Sequence, residues 1–222
     1  MLEAVKISVE KKIPTKEELD KALASRYGED LKDKISKAVV AICGLGGLGS
    51  NIAVALARAG VGKLILIDFD KVDVTNLHRQ QYFANQVGQW KTDALAENLK
   101  AMAPYVELDL RRAMVTEENI SELIKDADIV CEAFDVAENK AMLVNYVLEK
   151  FPEKYLIAAS GMAGFASGND ISTERISEHF YMCGDKKSDV NAEGMGLVSS
   201  RVMLCAAHQA HTVIRIIAGK KD

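Results

Sequence analysis

The stretch Ala38-Val-Val-Ala-Ile-Cys-Gly-Leu-Gly-Gly-Leu-Gly-Ser50 decides the fold of this chain. Its apolar run over residues 39–43 predicts a buried strand, and residues 51–59 predict a helix. Four glycines connect the two, at Gly44, Gly46, Gly47 and Gly49. Glycines let the backbone turn tightly and approach a ligand, and the N–H groups at a helix start attract anions. The stretch therefore predicts a cradle for nucleotide phosphates, and the alternative is a glycine turn used only for tight packing.

Strands and helices alternate along the rest of the chain. The apolar runs predict further strands over residues 63–68, 106–115, 128–134 and 155–159. Helical periodicity and end signals predict helices over residues 91–102, 116–126, 138–150 and 199–218. This alternation predicts an α/β fold, with a Rossmann-like, mostly parallel sheet and helices on both faces.

Two segments depart from that alternation. Residues 1–37 are predicted to form an N-terminal strand within residues 1–12, followed by a helical cap, and residues 38–222 to form the nucleotide-binding part of a single domain. Glycines interrupt the polar segment 160–198, which predicts a mobile loop with a short strand over 171–176. A loop at this place is positioned where a second substrate could enter.

Composition excludes several classes of protein. Of the 222 residues, 49% are hydrophobic and 27% are charged, which is typical of a soluble globular protein. The formal net charge of -4 gives no global basic field for nucleic acid, and no apolar run is long enough for a membrane span. The four cysteines form no Cys-x-x-Cys pair, and the first residues lack the apolar core of a signal peptide. We therefore expect a cytoplasmic protein without a disulfide framework, a nucleic-acid partner or a membrane partner.

Polar residues after the second predicted strand indicate the chemistry. Asp68 ends that strand, where a carboxylate can bind a ribose hydroxyl of NAD, FAD or ATP. Asn76, Arg79 and Gln80 follow within a polar segment, and Lys91 opens the next predicted helix. An arginine fork can hold phosphate oxygens and stabilise charge that builds on an α-phosphate. Taken singly, Arg79 or Lys91 is more often a solvated surface charge, but the cluster as a whole favours triphosphate chemistry.

Two further side chains are candidates for the site. Asp135 follows the fourth predicted strand, where a carboxylate could hold Mg²⁺ against phosphates; the alternative is a loop or helix-capping aspartate. Cys183 is the only cysteine in the glycine-rich polar segment. It could be a nucleophile that forms a covalent link to a substrate, a sulfur relay, or an idle loop cysteine.

These motifs together resemble the ubiquitin-activating superfamily, in its bacterial ThiF, MoeB and HesA branch. The resemblance rests on the segments Gly44–Ser50, Asp68-Phe-Asp70, Asn76-Leu-His-Arg-Gln80, Gly88-Gln-Trp-Lys91 and Phe134-Asp135. Three later segments look like the short, zinc-lacking ThiF type of thiamine biosynthesis: Gly161-Met-Ala-Gly164, Tyr181-Met-Cys-Gly184 and Gly194-Met-Gly-Leu197. The resemblance spans roughly residues 20–219.

The resemblance implies a reaction and a set of partners. ATP and Mg²⁺ would activate the C-terminal Gly-Gly carboxylate of a small ThiS-type sulfur carrier, giving an acyl-adenylate and pyrophosphate, and the enzyme would be a homodimer. The resemblance implies ATP-binding and catalytic roles for the following residues: the glycines of the loop, Asp68 on the ribose with Asp70 beside it, Asn76, Arg79 and Lys91 on the phosphates, Gln80 in the same motif, and Asp135 on Mg²⁺.

The sequence also departs from the pattern of this family. Val136 and Lys140 stand where many members have asparagine and arginine. The paired cysteines of a structural zinc site are missing, so Cys183 could also be a remnant of that site. An arginine from a partner protomer often completes the site, and Arg26 is the candidate here. Three alternatives stay open: another adenylation acceptor (a molybdopterin-type carrier, a peptide or a tRNA base), an interaction subunit without turnover, and an NAD-dependent oxidoreductase.

Overall fold

The computed structural model describes residues 13–189 and 196–220. Within this part of the chain, strands form one sheet in the order β3-β2-β1-β4-β5-β7-β6. The strands are β1 (Val39–Cys43), β2 (Lys63–Ile67), β3 (Glu107–Arg111), β4 (Ile129–Glu132), β5 (Tyr155–Ala159), β6 (Ser172–Arg175) and β7 (Phe180–Gly184). All neighbours pair in parallel except β6, which is antiparallel to β7.

Helices cover both faces of this sheet. They are α1 (Lys16–Tyr27), α2 (Glu29–Lys37), α3 (Gly47–Ala59), α4 (Lys91–Met102), α5 (Ile120–Ile124), α6 (Ala137–Lys150) and α7 (Ser199–Ile217). Successive side chains of a strand point to opposite faces. On β1, Val40 and Ile42 therefore join the apolar cluster under α3, α4 and α7. Ala41 and Cys43 join the second cluster under α5 and α6. The predicted α/β fold with helices on both faces is thus confirmed.

The helical cap packs weakly on this core. α1 contributes no buried residue, and α2 contributes only Ile35. The Tyr105 hydroxyl donates a hydrogen bond to the Pro14 carbonyl oxygen at 3.0 Å, just before α1 begins. The strand predicted within residues 1–12 lies outside the described residues. No helix among the described residues has the length and apolarity that a membrane crossing requires.

The prediction of a mobile loop over 160–198 is wrong for much of that segment. Residues 180–184 form β7, which pairs in parallel with β5 and is almost entirely buried. The strand was missed because its apolar run, Phe-Tyr-Met-Cys, is short and has glycine and polar residues next to it. Its burial comes from β5 and from the helices that cover it, which lie far away in the sequence.

Candidate functional site

Two glycines of the loop, Gly44 and Gly49, pack so closely against backbone atoms that no side chain would fit. Gly44 has a φ of +95°, and a Cβ placed on it would lie 2.8 Å from the Ala133 carbonyl oxygen. A Cβ on Gly49 would lie 1.8 Å from the Gly44 carbonyl oxygen. The loop leads directly into α3, which starts at Gly47, earlier than predicted, and has no side-chain cap. The uncapped start of this helix gives the loop an anion-attracting end.

Asp68 holds this loop in place from the end of β2. Its carboxylate accepts hydrogen bonds from the Leu45 N–H at 2.6 Å and the Asp70 N–H at 2.7 Å. Burial raises the pKa of Asp68, while the charge of Lys91, whose Nζ lies 4.0 Å from its Oδ2, acts in the opposite direction. Asp68 is thus at the place predicted for a ribose-binding carboxylate, and it also fixes the backbone of the glycine loop.

Lys91 is a buried cation with carboxylate partners. Its side chain is 7% exposed, and its Nζ donates to Asp70 Oδ2 at 2.8 Å. Lys91 opens α4 as predicted, and its backbone N–H donates to the Asp70 carbonyl oxygen. In this arrangement the charge of Lys91 is balanced by Asp70 and Asp68, so a bound phosphate would compete with these two carboxylates for it.

Arg79 lies against the glycine loop without a carboxylate partner among the described residues. A Cβ on Gly47 would lie 3.4 Å from Arg79 Cγ. The guanidinium donates to Asn76 Oδ1 at 2.9 Å, and its Nε is buried with no partner among the described residues. Burial lowers the pKa of Arg79, and the charge of Asp135 partly offsets this effect. An arginine with unused donors beside an uncapped helix start is suited to bind phosphate oxygens.

Asn76 and Gln80 lie beside Arg79 and the glycine loop, and their roles toward a nucleotide stay predictions. The Asn76 side chain faces Arg79 and orients it, as the hydrogen bond above shows. Gln80 is 7% exposed and its Oε1 has no partner among the described residues. The Gln80 Nε2 would lie 3.8 Å from a Cβ placed on Gly46, so its amide borders the loop.

Two residues that the sequence patterns did not single out, Asn51 and Gln81, join the Arg79 segment to α3. Asn51 Nδ2 donates to the Gly47 carbonyl oxygen at 2.6 Å and to that of Arg79 at 3.2 Å. Gln81 Nε2 donates to Asn51 Oδ1 at 2.7 Å. An asparagine and a glutamine have no distinctive spacing in the sequence, and only the fold shows that they position Arg79.

Asp135 lies exposed in the turn between β4 and α6. The turn is held by Glu132, which is completely buried and accepts hydrogen bonds from Lys140 Nζ at 2.8 and 2.9 Å and from the Phe134 N–H at 2.7 Å. Lys140, one of the two residues that depart from the family pattern, is therefore a structural partner of Glu132. Through Glu132, it stabilises the turn that carries Asp135.

The surroundings of Asp135 fit a magnesium ion that is held mainly by phosphates. No group of three or more His, Cys, Asp or Glu side chains among the described residues could hold a metal by itself. Magnesium is usually bound by one or two carboxylates together with substrate phosphates, and Asp135 supplies one such carboxylate.

Cys183 does not lie in a polar loop, so this part of the prediction is wrong. It lies on β7, is 0% exposed, and accompanies three other buried free cysteines among the described residues. Burial raises the pKa of the Cys183 thiol, although hydrogen bonds with Thr173 and Thr212 oppose the shift. A reactive thiolate needs partial exposure and a lowered pKa, and Cys183 has neither.

Replacing Cys183 by serine is expected to leave the adenylate formation that the family resemblance implies within about twofold of the wild type, because a buried neutral thiol contributes packing and no charge. The measurement is the rate of ATP–pyrophosphate exchange, followed by trapping of any thioester with the acceptor. Cys205→Ser, on the neighbouring α7, is the matched control for the loss of a buried thiol. A selective loss of exchange in Cys183→Ser would show that the thiol takes part in the reaction.

Arg26 lies exposed in the last turn of α1. The described contacts join it to none of the residues above, and its role in the site of a partner protomer stays a prediction.

The sheet, the glycine loop and the carboxylate after β2 define a Rossmann-like α/β protein with a nucleotide-type loop. Residues 19–222 match the ThiF family, and the chain belongs to that family. This confirms the resemblance read from the motifs.

The chain is similar to proteins of two activities. It is 32% identical over 148 residues to the sulfur carrier protein adenylyltransferase of Thermus thermophilus, covering 64% of this chain and 49% of that protein. It is also 32% identical over 174 residues to the tRNA threonylcarbamoyladenosine dehydratase of Haemophilus influenzae, covering 78% of this chain and 66% of that one. The chain thus spans about half of the first relative and just under two thirds of the second.

A solved structure shares the fold. The Escherichia coli tRNA N6-threonylcarbamoyladenosine dehydratase, crystallised in complex with ATP, superimposes with a TM-score of 0.80 over 90% of this chain and 93% of that one, at 23% identity. This likeness confirms the Rossmann-like architecture.

Proposed function

We propose that this chain uses ATP to adenylylate the C-terminal Gly-Gly carboxylate of a small ThiS-type sulfur carrier in thiazole biosynthesis. The observation that carries the proposal is the position of Arg79 across Gly47, next to the uncapped start of α3. This places an arginine with unused donors and a phosphate-attracting helix start at one point of the sheet edge. A dinucleotide-dependent oxidoreductase also binds phosphates at this helix start, but its hydride transfer builds no charge on a phosphate for Arg79 to stabilise.

In the proposed reaction, an oxygen of the carrier carboxylate attacks the α-phosphorus of ATP. The bond between the α-phosphorus and the bridging oxygen breaks, which gives the acyl-adenylate and releases pyrophosphate. The carboxylate is already ionised at neutral pH, so the step needs no general base. What it needs is orientation of the two substrates and stabilisation of charge on the phosphates.

The residues divide this work according to their positions. Asp68 accepts a hydrogen bond from a ribose hydroxyl and fixes the backbone of the glycine loop. Arg79 stabilises the negative charge that builds at the α-phosphate. Lys91 would exchange its carboxylate partners for the phosphates. Asp135 would supply a carboxylate ligand to Mg²⁺, and the ion would neutralise charge on the phosphate chain. The active form is proposed to be a homodimer.

A second acceptor is favoured by a specific observation. The similarity to the H. influenzae enzyme covers 78% of this chain, more than the similarity to the T. thermophilus enzyme covers. The relative's name indicates action on a modified tRNA base that also carries a carboxylate. Against a tRNA acceptor stands the net charge of -4, because binding to a phosphate backbone is driven by basic residues.

The proposed function is tested by ATP–pyrophosphate exchange with purified acceptors. We expect exchange with a ThiS-type carrier that ends in Gly-Gly, and none when the two terminal glycines are removed. Asp135→Ala is expected to reduce the exchange rate by about 10²-fold, because a misplaced phosphate chain costs that much in orientation. Glu138→Ala, which removes an exposed carboxylate three residues later, is the matched control.

Other outcomes of the same assay contradict the proposal. Exchange with threonylcarbamoyl-modified tRNA alone would assign the second acceptor instead. Absence of exchange with every acceptor, together with tight binding of NAD, would reject adenylation altogether.

A further inference from the structure

A buried ion pair joins the end of β7 to the start of α7. Arg201 Nη2 donates to Asp185 Oδ2 at 2.5 Å, and the two side chains are 4% and 6% exposed. Asp185 follows β7 directly, and Arg201 lies in the first turn of α7. We call these two residues the Asp185–Arg201 clamp.

Each partner of the clamp also holds a loop. Arg201 Nη1 donates to the carbonyl oxygens of Ala166 at 2.5 Å and Ser167 at 2.6 Å, in the loop that follows β5. Asp185 Oδ1 accepts from the N–H groups of Lys187 and Ser188, both at 2.8 Å, in the loop that follows β7. The clamp therefore ties the loops over residues 160–168 and 185–189 to the same helix.

Two further contacts join these loops to each other. Ser188 Oγ accepts a hydrogen bond from the Ala163 N–H at 2.9 Å. Gly161 has a φ of +78°, and a Cβ placed on it would lie 2.1 Å from Asp185 Oδ1. The clamp thus fits only against a glycine at this position, and the loops can move very little relative to each other while it is closed.

Stability alone does not explain this arrangement. Taking two charges out of water costs free energy that their attraction seldom exceeds, so a buried ion pair is weak evidence for stability. Arg201 Nε is also buried without a partner among the described residues, which adds a further cost. A network that fixes several loop backbones at once is instead suited to hold a site in one geometry.

The clamp lies on the side of the sheet edge that the nucleotide residues leave open. Those residues follow β2, β1 and β4, and the next strands in the sheet are β5 and β7. The helix of the clamp also borders the glycine loop, since a Cβ on Gly47 would lie 3.0 Å from Val202 Cγ1. Ligands of open parallel sheets bind at the carboxyl ends of the strands. The two clamped loops therefore border the part of that edge where the second substrate must meet ATP.

We infer that Arg201 and Asp185 are positioning residues, which hold the loops over 160–168 and 185–189 so that the carboxylate of the acceptor meets the α-phosphate. The inference rests on the proposed function. Neither residue forms a hydrogen bond with the residues proposed to bind ATP. Their loss is therefore expected to affect use of the acceptor and to leave ATP binding intact.

Kinetics and amide exchange of Arg201→Met and Asp185→Asn test the inference. We expect the KM for the acceptor in ATP–pyrophosphate exchange to rise by about tenfold or more, because small misplacements of a reacting group have effects of this size. The Kd for ATP, measured by calorimetry, is expected to stay nearly unchanged, because the hydrogen bonds of the clamp go to the two loops and not to the proposed nucleotide-binding residues. Hydrogen exchange of the amides over 163–168 and 185–188 is expected to accelerate, while that of residues 44–50 is not.

Two more variants separate positioning from general destabilisation. Arg201→Lys keeps a cation for Asp185 but loses the planar fork for both carbonyl oxygens, so its KM for the acceptor should lie between those of the wild type and Arg201→Met. Arg111→Met removes a partly buried arginine that pairs with Asp109 and Asp126 at the far border of the sheet. This control should leave the KM for the acceptor unchanged.

The inference and the proposed function fail in different ways. An unchanged acceptor KM, or an equal loss of acceptor use and ATP binding, would overturn the positioning role. Unchanged hydrogen exchange of the amides over 163–168 would overturn the positioning role, whatever the enzyme activity of the wild type. A wild-type protein without ATP–pyrophosphate exchange would contradict the proposed function. Hydrogen exchange of the amides would still decide whether the clamp fixes both loops.

Discussion

Replacing Arg79 by alanine is expected to lower acceptor-dependent ATP–pyrophosphate exchange by about 10²–10³-fold, as the loss of one charge-stabilising donor typically does. Arg79 is the cation beside the glycine loop that has no carboxylate partner within the described structure, whereas Lys91 is balanced by Asp70 and Asp68. The Arg79 donors can therefore bind the negative charge that builds on the α-phosphate during the reaction. Binding of ATP in the ground state should weaken much less than the rate.

The measurement compares the exchange rate with the Kd for ATP in the same variants. Arg79→Lys keeps the charge but lacks the fork that reaches two oxygens, so its rate should recover only in part. Arg58→Ala removes an exposed arginine from the last turn of α3 and serves as the matched control. If Arg79→Ala retained the wild-type rate, Arg79 would be a structural residue and the proposed chemistry would lose its main support.

The sequence predicted those parts of the molecule whose signal is local. β1 and β5 were predicted with the bounds that the structure has, because each is an apolar run long enough for a buried parallel strand. α4 was also predicted with its observed ends. The positions of the glycine loop, Asp68 and Arg79 could be predicted because they follow one another along a recognisable pattern of strand, loop and helix.

Features that depend on distant partners could not be predicted. Glu132 and Lys140 form an ion pair only because the first turn of α6 lies beside the end of β4. Asp185 and Arg201 are 16 positions apart, and they meet because β7 enters the sheet beside β5. A carboxylate and a cation at such spacings are common in any sequence, and only the fold distinguishes these pairs from solvated surface charges.

Cys183 shows the same limit from the opposite side. Its neighbours suggested an exposed loop, and exposure would have made a reactive thiol plausible. Pairing of β7 with β5 places it in the core. The chemistry of a cysteine depends on its exposure and its charged surroundings more than on its neighbours in sequence.

Replacing Gly49 by alanine is expected to destabilise the protein by about 3 kcal/mol or more, because overpacking against backbone cannot be relieved by a change of rotamer. Glycine to alanine within a helix ordinarily stabilises by about 1 kcal/mol. Here the new Cβ would lie 1.8 Å from the Gly44 carbonyl oxygen. Gly44 cannot retreat easily, since its N–H donates to the Ile67 carbonyl oxygen and its own Cα faces Ala133. Either α3 or the loop must move, and the phosphate cradle is lost with it.

Thermal unfolding and calorimetric titration with ATP measure both consequences. A loss of 3 kcal/mol corresponds to a fall in Tm of about 6–12 °C for a chain of this size. Gly46→Ala is the matched control for stability, because its Cβ would lie 3.8 Å from Gln80 Nε2, an ordinary contact distance. Gly46 is also the N-cap of α3, where alanine is less favourable than glycine, so its Tm should fall slightly and by much less than that of Gly49→Ala. A Gly49→Ala protein with normal Tm and normal affinity for ATP would show that the close approach of Gly44 and Gly49 is dispensable, and that the loop holds its ligand by other means.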